Sequence, residues 1–336
     1  MNIAIVGATG NVGRKIIEIL EKKQINIENL FLLASKNSEG KKINYNGKEH
    51  TVTNLEKFDF SSVKIAFFAA GSGVAEKWAH VAAEKTIVID NSKYFRKDPD
   101  IPLIVPEVNS KKLSDVKNKN IIANANCSVI PVVVALKPLH DLYNINRVVA
   151  STYQSVSGAG KSAMDELLSQ TEDYFQNKEI DSKNFTKQIA FNAIPHIDTF
   201  LENGYTKEEQ KTTDEIQKIL DKKIKVTSTC VRIPVLVSHC ISANVEFNKK
   251  CNLDEIRKVL STSPGCKVID EHQDGGYITP VEAEDKFETF ISRIRLDESR
   301  ENTINLWIVS DNLVKGAALN AVQIAESLIT NDFYGR

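Results

Sequence analysis

A glycine-rich turn near the start of the chain constrains the fold more than any other feature. An apolar run over residues 3–6 leads into the motif GATGNVG at residues 7–13 and then into a helical pattern over 12–20. Glycines at these spacings permit a tight turn, a close approach of backbone to pyrophosphate, and close packing of helix on strand. The helix N-terminus offers N–H groups to an anion. The turn therefore predicts a dinucleotide site, and a glycine turn without a ligand stays the alternative.

The cofactor preference is indicated by the end of the second predicted strand. An NAD site usually has an acidic residue there to bind the ribose 2′-hydroxyl, whereas this chain has LASKNS at residues 33–38. A lysine and hydroxyl groups suit a 2′-phosphate, so we predict NADP. The alternative is that this segment is a solvated polar loop without a cofactor role. Nearby Glu39 is an acidic residue and does not support the prediction of NADP. The predicted ligands from the turn and this loop are Gly7, Thr9, Gly10, Asn11, Val12, Gly13, Ser35, Lys36 and Ser38.

The periodicity of apolar residues changes along the chain and predicts two domains. In the first part, short apolar strands at 3–6, 30–34, 63–70, 86–90 and 121–123 alternate with helical segments, which is typical of a parallel, doubly wound sheet. After about residue 131 the predicted strands become longer, at 147–156, 225–235, 241–247, 287–296 and 303–309. Helices at 161–176, 207–222 and 253–260 separate some of them, and a last helix covers 317–329. The second part therefore predicts an α+β domain on a larger mixed or antiparallel sheet.

Composition excludes several classes of protein. In 336 residues, 43 Lys and Arg oppose 44 Asp and Glu, and the formal charge of −1 gives no general attraction for nucleic acid or anionic membranes. No apolar run reaches the ~18 residues that a membrane span needs, and the start lacks a basic leader. Five cysteines without a CxxC spacing disfavour disulfides and a metal site. We therefore expect a cytoplasmic protein without metal.

One cysteine and one histidine are the candidates for chemistry. Cys127 follows a predicted strand and precedes an apolar helix, with Ser128 as the expected N-cap. The positive end of a helix dipole lowers the pKa of a thiol and favours the thiolate. His239, seven residues after Arg232, supplies an imidazole that can exchange a proton with the thiol. Each residue taken alone is more often a core or surface side chain, so the pair is a hypothesis.

Longer motifs in a fixed order carry a resemblance to a known family. They are GATGNVG at 7–13, SKYFR at 92–96, PEVN at 106–109, NCS at 126–128, STYQSVSGAG at 151–160, IAFNAIP at 189–195, CVRIPVLVSH at 230–239 and SDNLVKGAA at 310–318. In these motifs the chain closely resembles the bacterial-type aspartate-semialdehyde dehydrogenases, nearly end to end. The resemblance implies a reversible reduction of 4-phospho-L-aspartate by NADPH to L-aspartate 4-semialdehyde and phosphate, which feeds lysine, threonine and methionine synthesis.

The resemblance also implies a role for each matching residue. Cys127 is the implied nucleophile, His239 the general acid/base, and Gln154 the residue that positions the acyl-enzyme carbonyl. The implied substrate ligands are Arg232 for the α-carboxylate, Glu208 for the α-ammonium group, and Lys211, Arg96 and Asn126 for the phosphate. Gly71, Ser157, Gly158 and Asn312 join the implied cofactor site, with Asn312 near the nicotinamide.

The same resemblance implies a domain plan and a set of partners. We expect an NADP-binding Rossmann domain over residues 1–127 and 313–336, to which the C-terminal helix returns. Residues 128–312 are expected to form a catalytic and dimerisation domain with a large mixed sheet. The implied partners are the small molecules phosphoaspartate, aspartate semialdehyde and phosphate, and a second copy of the chain in a homodimer, with no nucleic acid and no membrane.

Four departures from the family pattern bear on these expectations, and one of them is that the stretch over residues 171–187 is short beside many members of the family. Asn37 stands where an arginine often binds the 2′-phosphate, so some tolerance of NAD stays open. Ala125 replaces a common proline before the Asn-Cys pair, and His196 replaces a usual glutamine. None of them alters the implied nucleophile, base or carboxylate ligand.

Two other functions stay open. The N-acetyl-γ-glutamyl-phosphate reductases resemble this family in fold and thioester chemistry, but their substrate has no free ammonium group for Glu208 to pair. A non-catalytic NADP-binding regulator is the second alternative, and it has no need of Cys127, His239, Arg232 and Gln154 together.

Overall fold

The structure is a computed structural model that describes residues 1–330, apart from the side chain of Asn118. Two units share the chain: one contains Met1–Ala125 and the chain from Ala317 onward, and the other contains Asn126–Gly316. The predicted functional domains, 1–127 with 313–336 and 128–312, stay a prediction. Residues 331–336 of that prediction lie outside the described residues.

The first unit is built on a seven-stranded sheet in which every strand pair is parallel. Its strands are β1 (Asn2–Val6), β2 (Asn29–Ala34), β5 (Thr53–Asn54), β6 (Ile65–Phe68), β7 (Ile87–Asp90), β8 (Leu103–Ile104) and β9 (Ile121–Asn124), in the order β5-β2-β1-β6-β7-β9-β8. Its helices are α1 (Asn11–Lys22), α2 (Ser72–Ala83) and α3 (Pro106–Asn109). Strands β6, β7 and β9 are buried throughout, as expected for a parallel sheet covered on both faces. The predicted Rossmann-type sheet is confirmed.

A hairpin in the first unit was missed by the sequence analysis. Strands β3 (Lys42–Tyr45) and β4 (Lys48–Thr51) pair antiparallel. Asn46 and Gly47 between them have φ of 50° and 74°. This is the backbone of the two-residue turns that join hairpins, for which Asn-Gly is the strongest short sequence signal.

The glycine turn brings helix α1 unusually close to the sheet. Gly7 has φ of 86°, and a Cβ there would lie 2.6 Å from the carbonyl oxygen of Ala69. A Cβ on Gly13 would lie 2.2 Å from the carbonyl oxygen of Gly7. Neither position has room for a side chain, so the turn depends on both glycines.

The helix that ends the described chain, Leu319–Thr330, belongs to the first unit. Asn320 Nδ2 donates to the carbonyl oxygen of Ile104 at 3.0 Å and to Asn124 Oδ1 at 2.6 Å. Lys23 Nζ pairs with Glu326 at 2.9 Å. The helix is thus attached to the carboxyl ends of β8 and β9. Across residues 1–330, no helix has both the length and the apolar character to cross a membrane.

The second unit is built on a six-stranded mixed sheet. Its strands are β10 (Ile145–Gln154), β11 (Lys225–Arg232), β12 (His239–Phe247), β13 (Cys266–Val268), β14 (Thr289–Leu296) and β15 (Thr303–Ser310), in the order β11-β10-β12-β15-β14-β13. Its helices are α4 (Val129–Tyr143), α5 (Lys161–Phe175), α6 (Lys207–Ile219), α7 (Leu253–Thr262) and α8 (Pro280–Ala283). The β10–β11 and β13–β14 pairs are parallel and the others antiparallel. The predicted mixed sheet is confirmed.

Substitution of Gly13 by alanine tests the close packing of helix α1. We expect Gly13→Ala to lower the free energy of unfolding by about 1–3 kcal/mol, because the added methyl group overlaps the backbone of Gly7. Gly73→Ala is the control, since a Cβ at that helical position has no atom within 4 Å and should stabilise the protein by about 0.5–1 kcal/mol. Urea unfolding measures both, and equal effects would contradict this account.

Candidate functional site

A cavity of about 620 Å³ lies at the carboxyl ends of β1, β2, β5 and β6 in the first unit. In doubly wound sheets this edge is where nucleotides bind. Of the predicted cofactor ligands, Gly7, Thr9, Gly10, Ser35 and Lys36 line it. Among the described residues, Asn11, Val12, Gly13, Ser38 and Gly71 do not line it. Gly13 acts instead through packing, and Gly71, at φ of 82°, precedes helix α2.

The residues present fit a dinucleotide. The close approach at Gly7 leaves main chain rather than side chain at the cavity wall. Ser35, Lys36 and Asn37 line the cavity in a 3₁₀ turn after β2, which suits a 2′-phosphate. Asn54, Leu55, Lys77 and Trp78 also line it and were missed. They come from elements that reach this edge only through the strand order, so no local motif marks them.

In the second unit, Asn126 and Cys127 lie just before helix α4. The carbonyl oxygen of Asn126 accepts from the amides of Val129 (2.9 Å) and Ile130 (3.0 Å), the first turn of that helix. Asn126 Oδ1 accepts from the amide of Ser128 at 3.1 Å and from its Oγ at 3.2 Å. Ser128 is the N-cap residue of this helix, as predicted, but its side chain makes no capping hydrogen bond. Asn126 supplies the side-chain acceptor instead.

The thiol of Cys127 and the imidazole of His239 are in contact. Cys127 Sγ lies 3.3 Å from His239 Nε2, and the thiol also reaches Asn126 Oδ1 at 3.4 Å. Cys127 is half-buried, whereas His239 at the start of β12 is fully buried. The predicted thiol–imidazole pair is therefore brought within proton-transfer distance.

Burial keeps the ring of His239 neutral. Burial lowers the pKa of His239 to about 3, and the charge of Arg232 acts in the same direction, while Glu208 and the backbone of Ser238 oppose it. Nδ1 lies 3.1 Å from both the amide nitrogen and Oγ of Ser155. The amide donates when the ring proton is on Nε2, and the hydroxyl oxygen can accept when it is on Nδ1, so both tautomers are supported.

Asn312 forms hydrogen bonds with the residues next to this ring. Its Oδ1 accepts from the amide of Ser238 at 2.9 Å and from Oγ of Ser155 and Ser157, each at 3.1 Å. Ser157 and Asn312, predicted as cofactor ligands, thus belong to a hydrogen-bond network that includes Ser155 and Ser238, the neighbours of His239. Gly158, the third of these predicted ligands, lies beside the ring itself. A Cβ on Gly158 would lie 3.1 Å from Arg232 NH1 and 3.3 Å from His239 Nε2.

Arg232 and Gln154 end two neighbouring parallel strands. They pair in register at the ends of β11 and β10, and both are buried. Arg232 NH1 donates to the carbonyl oxygen of Ser155 at 2.6 Å. Gln154 Nε2 donates to Glu208 Oε1 at 3.4 Å. Burial lowers the pKa of Arg232, and the neighbouring Cys127 and Glu208 oppose that shift.

Helix α6 supplies a buried ion pair to the same site. Lys211 Nζ lies 2.5 Å from Glu208 Oε2 and 3.1 Å from Asp198 Oδ2, and Glu208 Oε1 accepts from Asn126 Nδ2 at 3.0 Å. Burial opposes ionisation of Glu208, but Lys211 and the hydrogen bonds from Asn126 and Gln154 hold its pKa below the usual range. Burial likewise opposes the charge on Lys211, and Glu208 and Asp198 outweigh it and raise its pKa. Both predicted substrate ligands are thus ionised and partnered.

Arg96, the remaining predicted phosphate ligand, belongs to the first unit. Its Nε donates to the carbonyl oxygen of Asn124 at 2.9 Å and NH2 donates to that of Asn91 at 3.0 Å. The guanidinium is therefore held by main-chain oxygens beside the ends of β7 and β9.

Three residues around the reactive pair were missed. Gly316 faces the nucleophile, since a Cβ there would lie 3.1 Å from Cys127 Cβ. Ser238 has φ of 75°, a strained value for a serine, directly before His239. Glu215 accepts from the amide of Asn126 at 2.6 Å. Glu208 and Glu215 are seven residues apart and so lie on one face of α6. This spacing is the only feature of the sequence that could have indicated Glu215.

The other cysteines differ from Cys127. All five are free, and burial raises the pKa of Cys230 and of Cys240 to about 12. Cys230 and Cys240 are core residues, as predicted. Within residues 1–330, no group of three or more His, Cys, Asp and Glu side chains is arranged to hold a metal ion.

Comparison with known proteins gives consistent matches along the chain. The family model described as "Semialdehyde dehydrogenase, NAD binding domain" matches residues 2–116, and the one described as "Semialdehyde dehydrogenase, dimerisation domain" matches residues 136–315. An aspartate-semialdehyde dehydrogenase of Aquifex aeolicus is 50% identical over 331 residues, which cover 97% of each chain. One of Rickettsia bellii is 49% identical, covering 98% of this chain and 97% of that protein.

Solved structures match equally well. The crystal structure of aspartate semialdehyde dehydrogenase II from Vibrio cholerae has a TM-score of 0.96 and 47% identity, covering 98% of each chain. The structure of that enzyme complexed with ASA matches with the same TM-score of 0.96 at 46% identity, again over 98% of each chain.

Replacement of Lys211 tests the buried ion pair. We expect Lys211→Met to lower the free energy of unfolding at pH 7 by about 3 kcal/mol, because it leaves Glu208 buried without its cation. Since the folded-state pKa of Glu208 is depressed, the contribution of the pair is present at neutral pH and is lost as the pH falls through that pKa. Urea unfolding at pH 7 and at about pH 4 should therefore show a smaller loss at the lower pH.

The control for that measurement is Lys161→Met. Lys161 pairs with Asp165 on the exposed face of α5, where an ion pair contributes little. A loss for Lys211→Met that equals the control, or that does not depend on pH, would contradict the account.

Proposed function

We propose that this chain, which belongs to the aspartate-semialdehyde dehydrogenase family, converts 4-phospho-L-aspartate to L-aspartate 4-semialdehyde and phosphate with NADPH, reversibly. The observation that carries the proposal is the contact of 3.3 Å between Cys127 Sγ and His239 Nε2. It lies in the same unit as a buried arginine and a buried glutamate that suit the two charged groups of an amino acid.

Recognition of the substrate would fall mainly to the buried Arg232 and Glu208 and to the half-buried Lys211. Arg232 offers a planar fork that matches the α-carboxylate, and the ionised Glu208 offers a partner for the α-ammonium group. Lys211 would bind the phosphate, together with Asn126 and Arg96. Lys211 is already held by Glu208 and Asp198, so the phosphate would share this cation with two carboxylates.

The first chemical step would be acyl transfer to the thiol. Cys127 gives its proton to Nε2 of the neutral His239, and Sγ bonds to the acyl carbon of the substrate. The bond between that carbon and the phosphate oxygen breaks with its electron pair, so phosphate leaves and a thioester remains on Cys127. Ser155 Oγ, 3.1 Å from Nδ1, can accept from the second ring proton that the imidazolium then carries.

The second step would release the aldehyde. When bound, NADPH supplies a hydride to the acyl carbon. His239 then provides the proton needed at the substrate oxygen, and Gln154 holds that oxygen in place. The thiohemiacetal then collapses: the hydroxyl proton passes back to His239, the carbon–sulfur bond breaks with its electron pair on Sγ, and the aldehyde leaves the Cys127 thiolate, which takes up the proton from His239.

The cofactor would be held by the cavity of the first unit. Gly7, Thr9 and Gly10 offer backbone to the pyrophosphate, with Asn11, Val12 and Gly13 forming the start of the helix behind them. Ser35, Lys36 and Ser38 would select the 2′-phosphate. Gly71 would be a further cofactor ligand from the first unit. Ser157, Gly158 and Asn312 would contact the nicotinamide end.

Three wider expectations belong to the same proposal. The family match to a dimerisation domain supports a homodimer. Residues 1–127 with 313–336 would bind NADP, and residues 128–312 would carry catalysis and dimerisation. Location in the cytoplasm follows from the pathway of lysine, threonine and methionine synthesis that the resemblance implies.

Loss of the thiol should abolish the reaction. With aspartate semialdehyde and phosphate, we expect phosphate-dependent reduction of NADP, and a decrease of at least about a thousandfold in kcat for Cys127→Ser, because a serine hydroxyl is not ionised at neutral pH. Cys251→Ser is the control and should retain full activity. Turnover with N-acetylglutamate semialdehyde alone would favour the related reductase, and undiminished activity of Cys127→Ser would exclude the thioester route.

Replacement of the arginine tests carboxylate binding. We expect Arg232→Lys to raise KM for aspartate semialdehyde by about tenfold while KM for NADP stays unchanged, because a point charge cannot form the bidentate contact. Arg257→Lys is the control, since Arg257 pairs with Asp270 elsewhere in the second unit. Steady-state kinetics measure both, and an unchanged KM in Arg232→Lys would show that Arg232 does not hold the carboxylate.

A further inference from the structure

A buried glutamate that the proposed reaction does not use holds the backbone beside the nucleophile. Glu215 on α6 has only 2% of its surface exposed. Its Oε2 accepts from the amide of Asn126 at 2.6 Å, a short hydrogen bond. The residue that it holds directly precedes Cys127.

Helix α6 holds Asn126 at two points. Glu215 binds its amide, and Glu208, two turns earlier on the same face, accepts from its side-chain Nδ2 at 3.0 Å. Asn126 Oδ1 then accepts from the thiol of Cys127 at 3.4 Å and from Ser128. The position of the thiol opposite His239 Nε2 is therefore set through Asn126 by two carboxylates.

The neighbouring Glu209 shows what a purely structural carboxylate on this helix does. Glu209 is also buried and accepts from two amides, those of Thr206 at 2.7 Å and Cys230 at 3.0 Å. These bonds complete the capping box of α6 and attach the helix to β11. Glu215 instead accepts from the amide of Asn126 in the loop that carries the nucleophile. This hydrogen bond fixes the backbone directly before Cys127.

We propose that Glu215 is a positioning residue whose carboxylate fixes Asn126 and thereby keeps the Cys127 thiol within reach of His239 Nε2. The inference rests on the proposed function only in taking Cys127 as the nucleophile. It concerns the reactivity of a thiol, which is measurable without any substrate.

The test compares matched variants of Glu215 and Glu209. The rate of alkylation of Cys127 by iodoacetamide is measured from about pH 6 to 9, and the modified peptide is followed by mass spectrometry because four other thiols are present. We expect Glu215→Leu, which removes the acceptor, to slow alkylation at pH 7 by about tenfold, since a misplaced thiol loses its imidazole partner. Glu215→Gln keeps an acceptor of the same size and should stay within about twofold of the wild type.

Glu209→Leu and Glu209→Gln are the controls. We expect both to lower the unfolding midpoint while the alkylation profile of Cys127 stays unchanged. If Glu215 were merely structural, its variants would behave like those of Glu209. In turnover assays, Glu215→Leu should lower kcat by about tenfold with KM nearly unchanged. A wild-type alkylation profile in Glu215→Leu, or an equal slowing in Glu209→Leu, would overturn the proposal.

The test also covers a Glu215→Leu variant that does not fold and an enzyme that shows no turnover. If Glu215→Leu does not fold, Glu215→Asp decides, because it keeps the carboxyl group but shortens the reach by one methylene. About threefold slower alkylation supports the proposal, and an unchanged rate overturns it. If the enzyme shows no turnover with aspartate semialdehyde while the alkylation results hold, the proposed function fails and the role of Glu215 stands.

Discussion

The reactive geometry of the second unit depends on how Asn126 is held. Its main-chain carbonyl begins helix α4, its side-chain oxygen accepts from Cys127 and Ser128, and its two nitrogens donate to carboxylates of helix α6. One residue thus connects the start of one helix to the face of another. Since each of its polar groups has a partner, the loop that carries the thiol has little freedom to shift.

Burial acts on several groups of this unit with different results. It keeps His239 neutral, and it raises the pKa of Cys230 and Cys240 far above neutrality. Glu208 and Lys211 experience the same penalty, but each supplies the opposite charge to the other and both stay ionised. The site therefore contains a neutral proton carrier and a fixed pair of charges within one buried region. That combination follows from which groups have partners, not from net composition.

The sequence allowed much of the fold to be predicted, because it is expressed in local patterns. The glycine turn, the alternation of short strands and helices, and the longer strands after residue 131 led to the two sheets that the structure has. The hairpin β3–β4 was missed even though Asn46-Gly47 is a recognisable turn, because its strands are short and largely polar.

The site was predicted less completely, for a physical reason. Cys127 could be recognised from its place before a helix, His239 and Arg232 from one long motif, and Glu208 through the family resemblance. The roles of Glu215, Gly316 and Ser238 arise from distances between segments that are far apart in the chain. Ser128 occupies the predicted N-cap position, but its side chain does not cap the helix, because the carbonyl oxygen of Asn126 accepts from the amide of Ile130 and Pro131 has no amide proton. Periodicity and motifs do not report such hydrogen bonding.

The absence of a side chain at Gly316 leaves room for Cys127. A methyl group at this position would press on Cys127 Cβ at 3.1 Å, and the neighbours would have to give way by a few tenths of an ångström. Such a shift changes no charge and removes no hydrogen-bonding group, but it acts directly on the residue that carries the thiol. The size of the side chain at position 316 therefore limits where the sulfur can lie relative to the ring of His239.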